Sequence, residues 1–154
     1  MSLALDFAER AGLQGEVPVG AVLSDARGNV VAASGNRMVE LVDPTAHAEM
    51  LAIRDACRIL GQSRLEACDL YVTLEPCAMC AAAISFARLR RLYFAAYDSK
   101  GGGVEHGARF YAQPTCHHRP EIYGGIEETR AGDLLRRFFE LRRAAKLSVA
   151  VDEP

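Results

Sequence analysis

The chain has 154 residues, of which 50% are apolar and 25% charged, and its formal net charge is −2. This length suits one domain with a sizeable core, and the near-neutral charge gives no global signal for nucleic-acid binding. No stretch approaches the roughly 18 uncharged apolar residues of a membrane-spanning helix. We therefore expect a single domain over residues 1–154 with no membrane contact, and any nucleic-acid contact confined to local patches.

The first half of the chain alternates helical and strand patterns. Apolar spacing predicts a helix over residues 3–11. The apolar segments 17–24 and 30–34, separated by the turn sequence DARGN, predict a β-hairpin. The run 46–60 has helical apolar spacing and predicts a second helix with Thr45 as its N-cap.

The second half continues the alternation. Its predicted elements, in chain order, are a strand over 69–75, an alanine-rich helix over 77–87, a strand over 92–97 and a final helix over 127–146. A glycine-rich loop from residue 99 to about 120 precedes the last helix. Strands that alternate with helices predict an α/β fold, in which helices cover both faces of a sheet.

The five cysteines stand at irregular spacings, which argues against a disulfide framework and favours a reducing compartment such as the cytoplasm. Two of them, Cys77 and Cys80, follow Pro76, which we expect to open a helix. Residues three apart share one helix face, and a helix N-terminus lowers the pKa of a thiol. The pair therefore predicts half of a tetrahedral zinc site.

The sequence HAE at residues 47–49 offers the remaining chemistry. It also stands at the start of a predicted helix, where both His47 and Glu49 can reach a site beyond the helix end. One histidine and two cysteines leave the fourth zinc position open, which is typical of a catalytic zinc that activates water. Glu49 is then expected to act as general base and acid rather than as a ligand.

Two other interpretations of the cysteine pair stay open at this point. The pair could be a redox dithiol, although this would leave the HAE sequence without a role. A closed structural zinc site would need a fourth ligand from Cys116, His117 or His118, whose separation from Cys80 along the chain is outside zinc-finger spacing. His106, like His117 and His118, lies in a polar loop, where a surface role is the default expectation.

HAE followed by PCAMC resembles the H-x-E…P-C-x-x-C signature of the zinc-dependent nucleoside and nucleobase deaminases. Further segments resemble the bacterial tRNA-specific adenosine deaminases, which convert the wobble adenosine of a tRNA anticodon to inosine: EVPVGAVL (16–23), GNR (35–37), DPTAHAE (43–49), LYVTLEPCAMC (70–80) and FFELRR (138–143). The resemblance covers nearly the whole chain, with gaps in the loop 98–118. It implies a cytidine-deaminase-like fold, which is a three-layer α/β/α sandwich around a mixed five-stranded sheet.

The resemblance also implies roles for individual residues. His47, Cys77 and Cys80 would hold one Zn²⁺ per subunit, between the starts of the second and third helices. Glu49 would take a proton from the activated water and pass it to the base ring and the leaving ammonia. The implied substrate contacts are Asn36 and the backbone N–H of Ala48 on the target base, Pro18 and Val19 as an apolar wall, Asp98 on the preceding nucleotide, and Phe139 with Arg142 and Arg143 on a helix against the RNA.

The implied partners are a tRNA anticodon stem-loop and a second copy of the chain, in a homodimer whose RNA site uses both subunits. Deamination of a free nucleobase or nucleoside, such as guanine or cytosine, is the alternative with the same zinc chemistry. The segments FFELRR and YDSKGG have no obvious use with so small a substrate, which favours tRNA. A catalytically inactive RNA-binding module ranks last, because the zinc ligands and Glu49 are all present.

Overall fold

A mixed β-sheet with helices on both faces organises the chain. This computed structural model describes the backbone of residues 1–151 and the side chains of residues 1–145, so the last three residues of the predicted domain 1–154 lie outside it. The elements in chain order are α1 (Ser2–Leu13), β1 (Gly20–Ser24), β2 (Val30–Gly35), α2 (Ala48–Leu60), β3 (Asp69–Leu74), α3 (Ala78–Phe86), β4 (Arg91–Ala96), a 3₁₀ turn (Phe110–Ala112), β5 (Glu121–Tyr123) and α4 (Glu128–Val151).

The strands pair in the order β2-β1-β3-β4-β5, which makes a five-stranded sheet within the described residues. β1 is antiparallel to both β2 and β3, whereas β4 is parallel to β3 and to β5. The expected antiparallel hairpin and parallel later strands are therefore confirmed. Because of these directions, the start of β1 and the carboxyl ends of β2, β3 and β4 all meet at one edge of the sheet.

The helices form the two outer layers of the predicted three-layer sandwich. α2 and α3 cover one face, where their apolar residues join Leu23, Val72 and Phe94 in the main core. α1 and α4 cover the other face, where Leu5 of α1 and Ala131 of α4 meet in a second cluster with the end of β4. Strand side chains alternate between the two cores, because successive residues of a strand point to opposite faces.

α1 lies directly against the backbone of β1 and β2. A methyl group at Gly20 would stand 2.0 Å from the carbonyl oxygen of Ala4 and 2.7 Å from the backbone nitrogen of Ala8. A methyl group at Gly35 would stand 2.9 Å from the carbonyl oxygen of Phe7. Two glycines in neighbouring strands therefore make the groove that receives α1.

The starts of several predicted elements were wrong by one to three residues. β1 begins at Gly20 rather than residue 17, and a strand could not include Pro18 without losing a ladder bond, because proline has no N–H. α2 begins at Ala48 with His47, not Thr45, as its N-cap. α3 begins at Ala78 with Cys77 as its N-cap, so Pro76 precedes the helix instead of opening it.

The segment after residue 98 holds the elements that sequence patterns missed. β5 is a three-residue edge strand that pairs parallel to β4, in the stretch between the predicted loop, which ends at about residue 120, and the predicted final helix, where sequence patterns indicated no element. A single 3₁₀ turn at Phe110–Ala112 packs against α3, where the Tyr111 hydroxyl donates a hydrogen bond to the carbonyl oxygen of Ala81. The final helix extends to Val151, five residues beyond its predicted end at 146.

We expect Gly20→Ala to destabilise the protein by about 3 kcal/mol, because the added methyl group must displace the backbone of α1. Urea unfolding of the two proteins measures this difference. Gly132→Ala is the matched control: it lies within α4, and its methyl group would meet only the flexible end of Arg136 at 3.4 Å. The control should leave the stability unchanged or raise it by up to about 1 kcal/mol. Equal stabilities for the two variants would contradict the close packing of α1.

Candidate active site

A pocket of about 250 Å³ opens at the sheet edge where the strand ends meet. Each neighbouring strand contributes to it: Val19 stands just before β1, Asn36 follows β2, Cys77 follows β3 and Asp98 follows β4. The N-terminus of α2 closes the remaining side with His47. This is the position that ligands prefer in open α/β sheets.

Three metal-ligand side chains lie together beside this pocket: His47 and Cys77 line it, and Cys80 is buried next to them. His47 Nδ1 is 3.6 Å from Cys77 Sγ and 3.5 Å from Cys80 Sγ, and all three donor atoms lie within 4.8 Å of one another. Zinc bonds of about 2.3 Å to sulfur and about 2.1 Å to nitrogen, at a tetrahedral angle, hold such atoms about 3.6 Å apart. The donor set and its spacing therefore fit zinc, which is the cofactor of this site.

Both helix starts use their N-cap residue as a ligand. His47 and Cys77 have extended backbone at the N-cap positions of α2 and α3, and neither makes a side-chain capping bond within the described residues. A hydrogen bond from Cys80, together with one from His47, lowers the pKa of the Cys77 thiol to about 4. The same shared bond and burial raise the pKa of Cys80. The environment of the pair thus favours a thiolate at Cys77.

Glu49 lies in the first turn of α2 and lines the same pocket. It is 4% exposed, and burial raises the pKa of its carboxyl above the ordinary value. A carboxyl with a raised pKa can both accept and donate a proton near neutral pH. Its position and electrostatics suit the predicted role as a proton shuttle.

The side-chain amide of Asn36 has a defined orientation. Its Oδ1 accepts a hydrogen bond of 2.9 Å from the backbone N–H of Ala48, and both residues are buried. This bond assigns the amide oxygen and leaves the Nδ2 group as the donor on the pocket side. The Ala48 N–H, which the resemblance implied as a substrate contact, is thus bonded to Asn36 and holds its amide in place.

Of the other predicted contacts, Val19, Asp98 and Phe139 line the pocket or a neighbouring groove, whereas Pro18 lines neither. Val19 lines the pocket beside Val17. Pro18 is buried against Gly12 at the end of α1, where a methyl group added to Gly12 would stand 3.3 Å from the Cβ of Pro18. Asp98 lines both the pocket and a groove of about 710 Å³. Phe139 lines that groove and is 43% exposed.

The two C-terminal arginines point to different places. Arg143 lines the groove, whereas Arg142 donates a hydrogen bond of 2.6 Å to the carbonyl oxygen of Gly15. Arg142 also stacks on the ring of Phe138 at 5.1 Å. Arg142 thus attaches α4 to the segment before β1, and Arg143 is the one that faces the groove.

Sequence reasoning missed two buried carboxylates that hold the loops around the pocket. Glu16 accepts hydrogen bonds from the backbone N–H groups of Val39 and Glu40, both at 2.9 Å. Glu75 accepts backbone hydrogen bonds from the loop after β4 and pairs with His106 Nδ1 at 2.7 Å. The sequence offers one signal for Glu75, which is an acidic residue within the apolar strand sequence LYVTLEPC. Because burial of an unpaired carboxylate is costly, such a residue is expected to have hydrogen-bond partners.

The histidines of the long loop lie apart from the zinc ligands. His106 bonds to Glu75, and His118 Nε2 is 2.7 Å from the carbonyl oxygen of Leu89. His117 is exposed. Among the described residues, the cluster that can hold a metal contains His47 with the two cysteines and none of these three, so the geometry offers no fourth protein ligand for a closed zinc site.

This fold, with a histidine and two cysteines at two helix starts beside a buried glutamate, defines a zinc-dependent hydrolytic deaminase. The family model for the cytidine and deoxycytidylate deaminase zinc-binding region matches residues 1–96. A tRNA-specific adenosine deaminase of Agrobacterium fabrum is 60% identical over 143 residues, which are 93% of each chain.

Two solved structures are similar over most of the chain. One, from a study of A-to-I editing by tRNA wobble-position deaminases, has a TM-score of 0.86 and 61% identity, and covers 88% of this chain and 97% of its own. A guanine deaminase of Bacillus subtilis has a TM-score of 0.62 and 31% identity, over 88% of this chain and 90% of its own. The chain belongs to the family of tRNA-specific adenosine deaminases. Within the described residues, no helix combines the length and the apolar character needed to cross a membrane.

We expect Cys80→Ala to remove zinc from the purified protein, because two ligands cannot hold the ion at a three-ligand site. Elemental analysis of the metal content per chain measures this loss. Cys57→Ala is the matched control, because Cys57 is a free, half-buried cysteine on α2 outside the cluster, and should keep zinc at the level of the unchanged protein. Stoichiometric zinc in Cys80→Ala would contradict the assigned ligand set.

Proposed function

We propose that this protein converts the wobble adenosine of a tRNA anticodon loop to inosine, as a cytoplasmic homodimer of single deaminase domains spanning residues 1–154. The observation that carries the proposal is the groove that joins the pocket. The pocket and the groove share Val17, Leu74, Asp98 and Gly101, so they form one continuous surface. Similarity over nearly the whole chain to relatives named for this activity supports the same substrate.

The groove has the chemistry of a single-stranded RNA site. Lys100, Arg136 and Arg143 line it with positive charge, and Tyr97 and Phe139 line it with aromatic rings. Cations suit the phosphates of flanking nucleotides, and rings suit stacking with their unpaired bases. A free base in the smaller pocket would leave this surface unused. The groove therefore favours a substrate that extends beyond the reacting base.

The residues of the pocket account for the hydrolysis of an adenine amino group. Zinc supplies the activation of water when it is bound. Glu49 then accepts a proton from the water and delivers protons to the ring nitrogen and to the departing amino group, which leaves as ammonia while the water oxygen takes its place. Asn36 Nδ2 donates to the base, and its orientation is fixed by Ala48.

The outer side of α2 and α3 supports association with a second copy. The two helices pack side by side on one face of the sheet, and apolar side chains are exposed at their carboxyl ends. Phe86 of α3 is 75% exposed and Ile59 of α2 is 62% exposed. Large exposed apolar side chains on neighbouring elements are typical of a protein–protein contact. All five cysteines are free, which is consistent with a reducing compartment.

We expect Glu49→Gln to lower kcat on an adenosine-wobble anticodon stem-loop by at least about a hundredfold, because the amide cannot exchange protons. Product mass, zinc content and stem-loop affinity are measured on the same sample, and the last two should be retained. Glu66→Gln makes the same chemical change at an exposed position and should behave as the unchanged protein. Free adenosine, cytosine and guanine are assayed in parallel. Deamination of a free base without any product from the stem-loop would overturn the tRNA proposal.

We expect Arg143→Ala to weaken stem-loop binding and to reduce the slope of log affinity against log salt concentration by about 0.7, which is the value for one phosphate contact on a single strand. Fluorescence anisotropy over a salt series measures this slope. Arg27→Ala removes an arginine that is exposed in the turn between β1 and β2, and its slope should equal that of the unchanged protein. Identical slopes for both variants would remove Arg143 from the RNA site.

A further inference from the structure

Glu75 is a buried carboxylate whose two oxygens bind the loop after β4. Oε1 accepts hydrogen bonds from the backbone N–H groups of Val104, Glu105 and His106, at 3.2, 2.8 and 2.9 Å. Oε2 accepts the backbone N–H of Asp98 at 3.0 Å and lies 2.7 Å from Nδ1 of His106. The side chain is 0% exposed. One carboxylate thus gathers both ends of the segment 98–106, which we call the pocket loop.

The pocket loop fits closely around the chain that carries the zinc ligands. The backbone N–H of Gly103 donates to the carbonyl oxygen of Pro76 at 2.8 Å, and Gly102 forms a β-bridge with Cys77. A methyl group at Gly102 would stand 2.6 Å from Glu75 Oε1. The loop backbone thus packs against both the Glu75 carboxylate and the segment that carries Cys77, and these contacts fix its position.

The same loop forms the boundary between the pocket and the groove. Asp98 and Gly101 line both of them, and Lys100 lines the groove. Asp98 Oδ1 accepts the backbone N–H groups of Lys100 at 3.0 Å and Gly101 at 2.9 Å, which closes the turn at this boundary. The hydrogen bond from the Asp98 N–H to Glu75 sets where this turn begins.

We propose that Glu75 is a positioning residue that fixes the pocket loop, and thereby places Asp98 and Gly101 for binding the nucleotides next to the reacting base. This role rests on the proposed function. Both oxygens of Glu75 are occupied by loop donors, so the carboxylate is not available to the base itself. Its effect on the reaction passes through the position of the loop.

The variant Glu75→Gln keeps the size of the side chain but changes its hydrogen bonding. It therefore tests whether the hydrogen bonds of Glu75, rather than its size, position the loop. The variant keeps one carbonyl oxygen, which can accept the three N–H groups that now meet Oε1. Its amide nitrogen replaces Oε2 and cannot accept the N–H of Asp98. If the amide turns the other way, the three bonds to Oε1 are lost instead. In either orientation at least one buried loop N–H loses its acceptor.

The matched control is Glu105→Gln. Glu105 belongs to the pocket loop, and its backbone N–H, which the variant retains, is bonded to Glu75. Glu105 is exposed, and its side chain makes no hydrogen bond or ion pair with any residue that the structure describes. The two variants therefore change the same functional group and the same formal charge, and they differ in the hydrogen bonds to the loop.

Two measurements on the zinc-loaded full chain test the proposal: amide hydrogen exchange over residues 98–106, and the kinetics on the anticodon stem-loop. For Glu75→Gln we expect exchange over 98–106 to become about tenfold faster, and kcat/KM to fall about tenfold, mainly through a higher KM. Zinc content and exchange over the core strand 69–74 should stay the same. Glu105→Gln should match the unchanged protein in every readout.

Other results would overturn the proposal. Unchanged exchange over 98–106, or a kcat/KM within twofold of the unchanged protein, would show that Glu75 does not position the loop. Loss of zinc, or faster exchange over residues 69–74 as well, would assign Glu75 to the metal centre or the core. If the unchanged protein does not deaminate the stem-loop, the proposed function fails, and the exchange result alone then decides whether Glu75 anchors the loop.

A second variant covers the case in which Glu75→Gln does not fold. His106→Ala removes the ring that pairs with Oε2 and leaves the four backbone hydrogen bonds to Glu75 in place. We expect a smaller, severalfold rise of exchange that is confined to residues 98–106. No change in that segment would overturn the proposal.

Discussion

The structure depends on two helices whose N-termini converge on one metal site. α2 and α3 each start with a metal ligand at the N-cap, so the positive ends of two helix dipoles face one cluster. Such ends stabilise anions, which here are the thiolates and any hydroxide formed beside them. The ligand role replaces the capping bond that these side chains would otherwise make. Metal binding and helix initiation are thus properties of the same two residues, His47 and Cys77.

The strand directions supply the rest of the site. An antiparallel β1 between β2 and the parallel pair β3 and β4 brings the start of one strand and the ends of three to one edge. Loops at such an edge need internal support to form a binding surface. Glu16 holds the turn after β2, and Glu75 holds the loop after β4, each by accepting backbone N–H groups. Two buried carboxylates therefore hold two of the loops around the pocket.

The zinc cluster and Glu49 could be predicted because their signals are local. Helix-start signals place His47, Glu49, Cys77 and Cys80 at helix N-termini, and helical geometry then determines which side chains share a side. The α/β class follows equally from alternating patterns. The cytidine-deaminase-like topology and the fifth strand came from the resemblance, since a three-residue strand at 121–123 is too short to show a period.

Other features needed the folded chain. The partners of Glu75 are N–H groups 23 to 31 residues away, and backbone groups leave no trace in a sequence. The orientation of Asn36 depends on Ala48 in another element. The different directions of Arg142 and Arg143 follow from where α4 packs, which a helical pattern alone does not determine. Local chemistry was therefore predictable, and the contacts between distant segments were not.

A carboxylate that binds backbone N–H groups does not depend on which side chains those residues carry. Within residues 98–106, proline is excluded at positions 98, 104, 105 and 106, and larger residues are excluded at Gly102 and Gly103. The exposed side chains of Ser99, Lys100 and Glu105 take no part in the hydrogen bonds to Glu75. The framework can therefore keep its shape while the charge and size of these side chains vary.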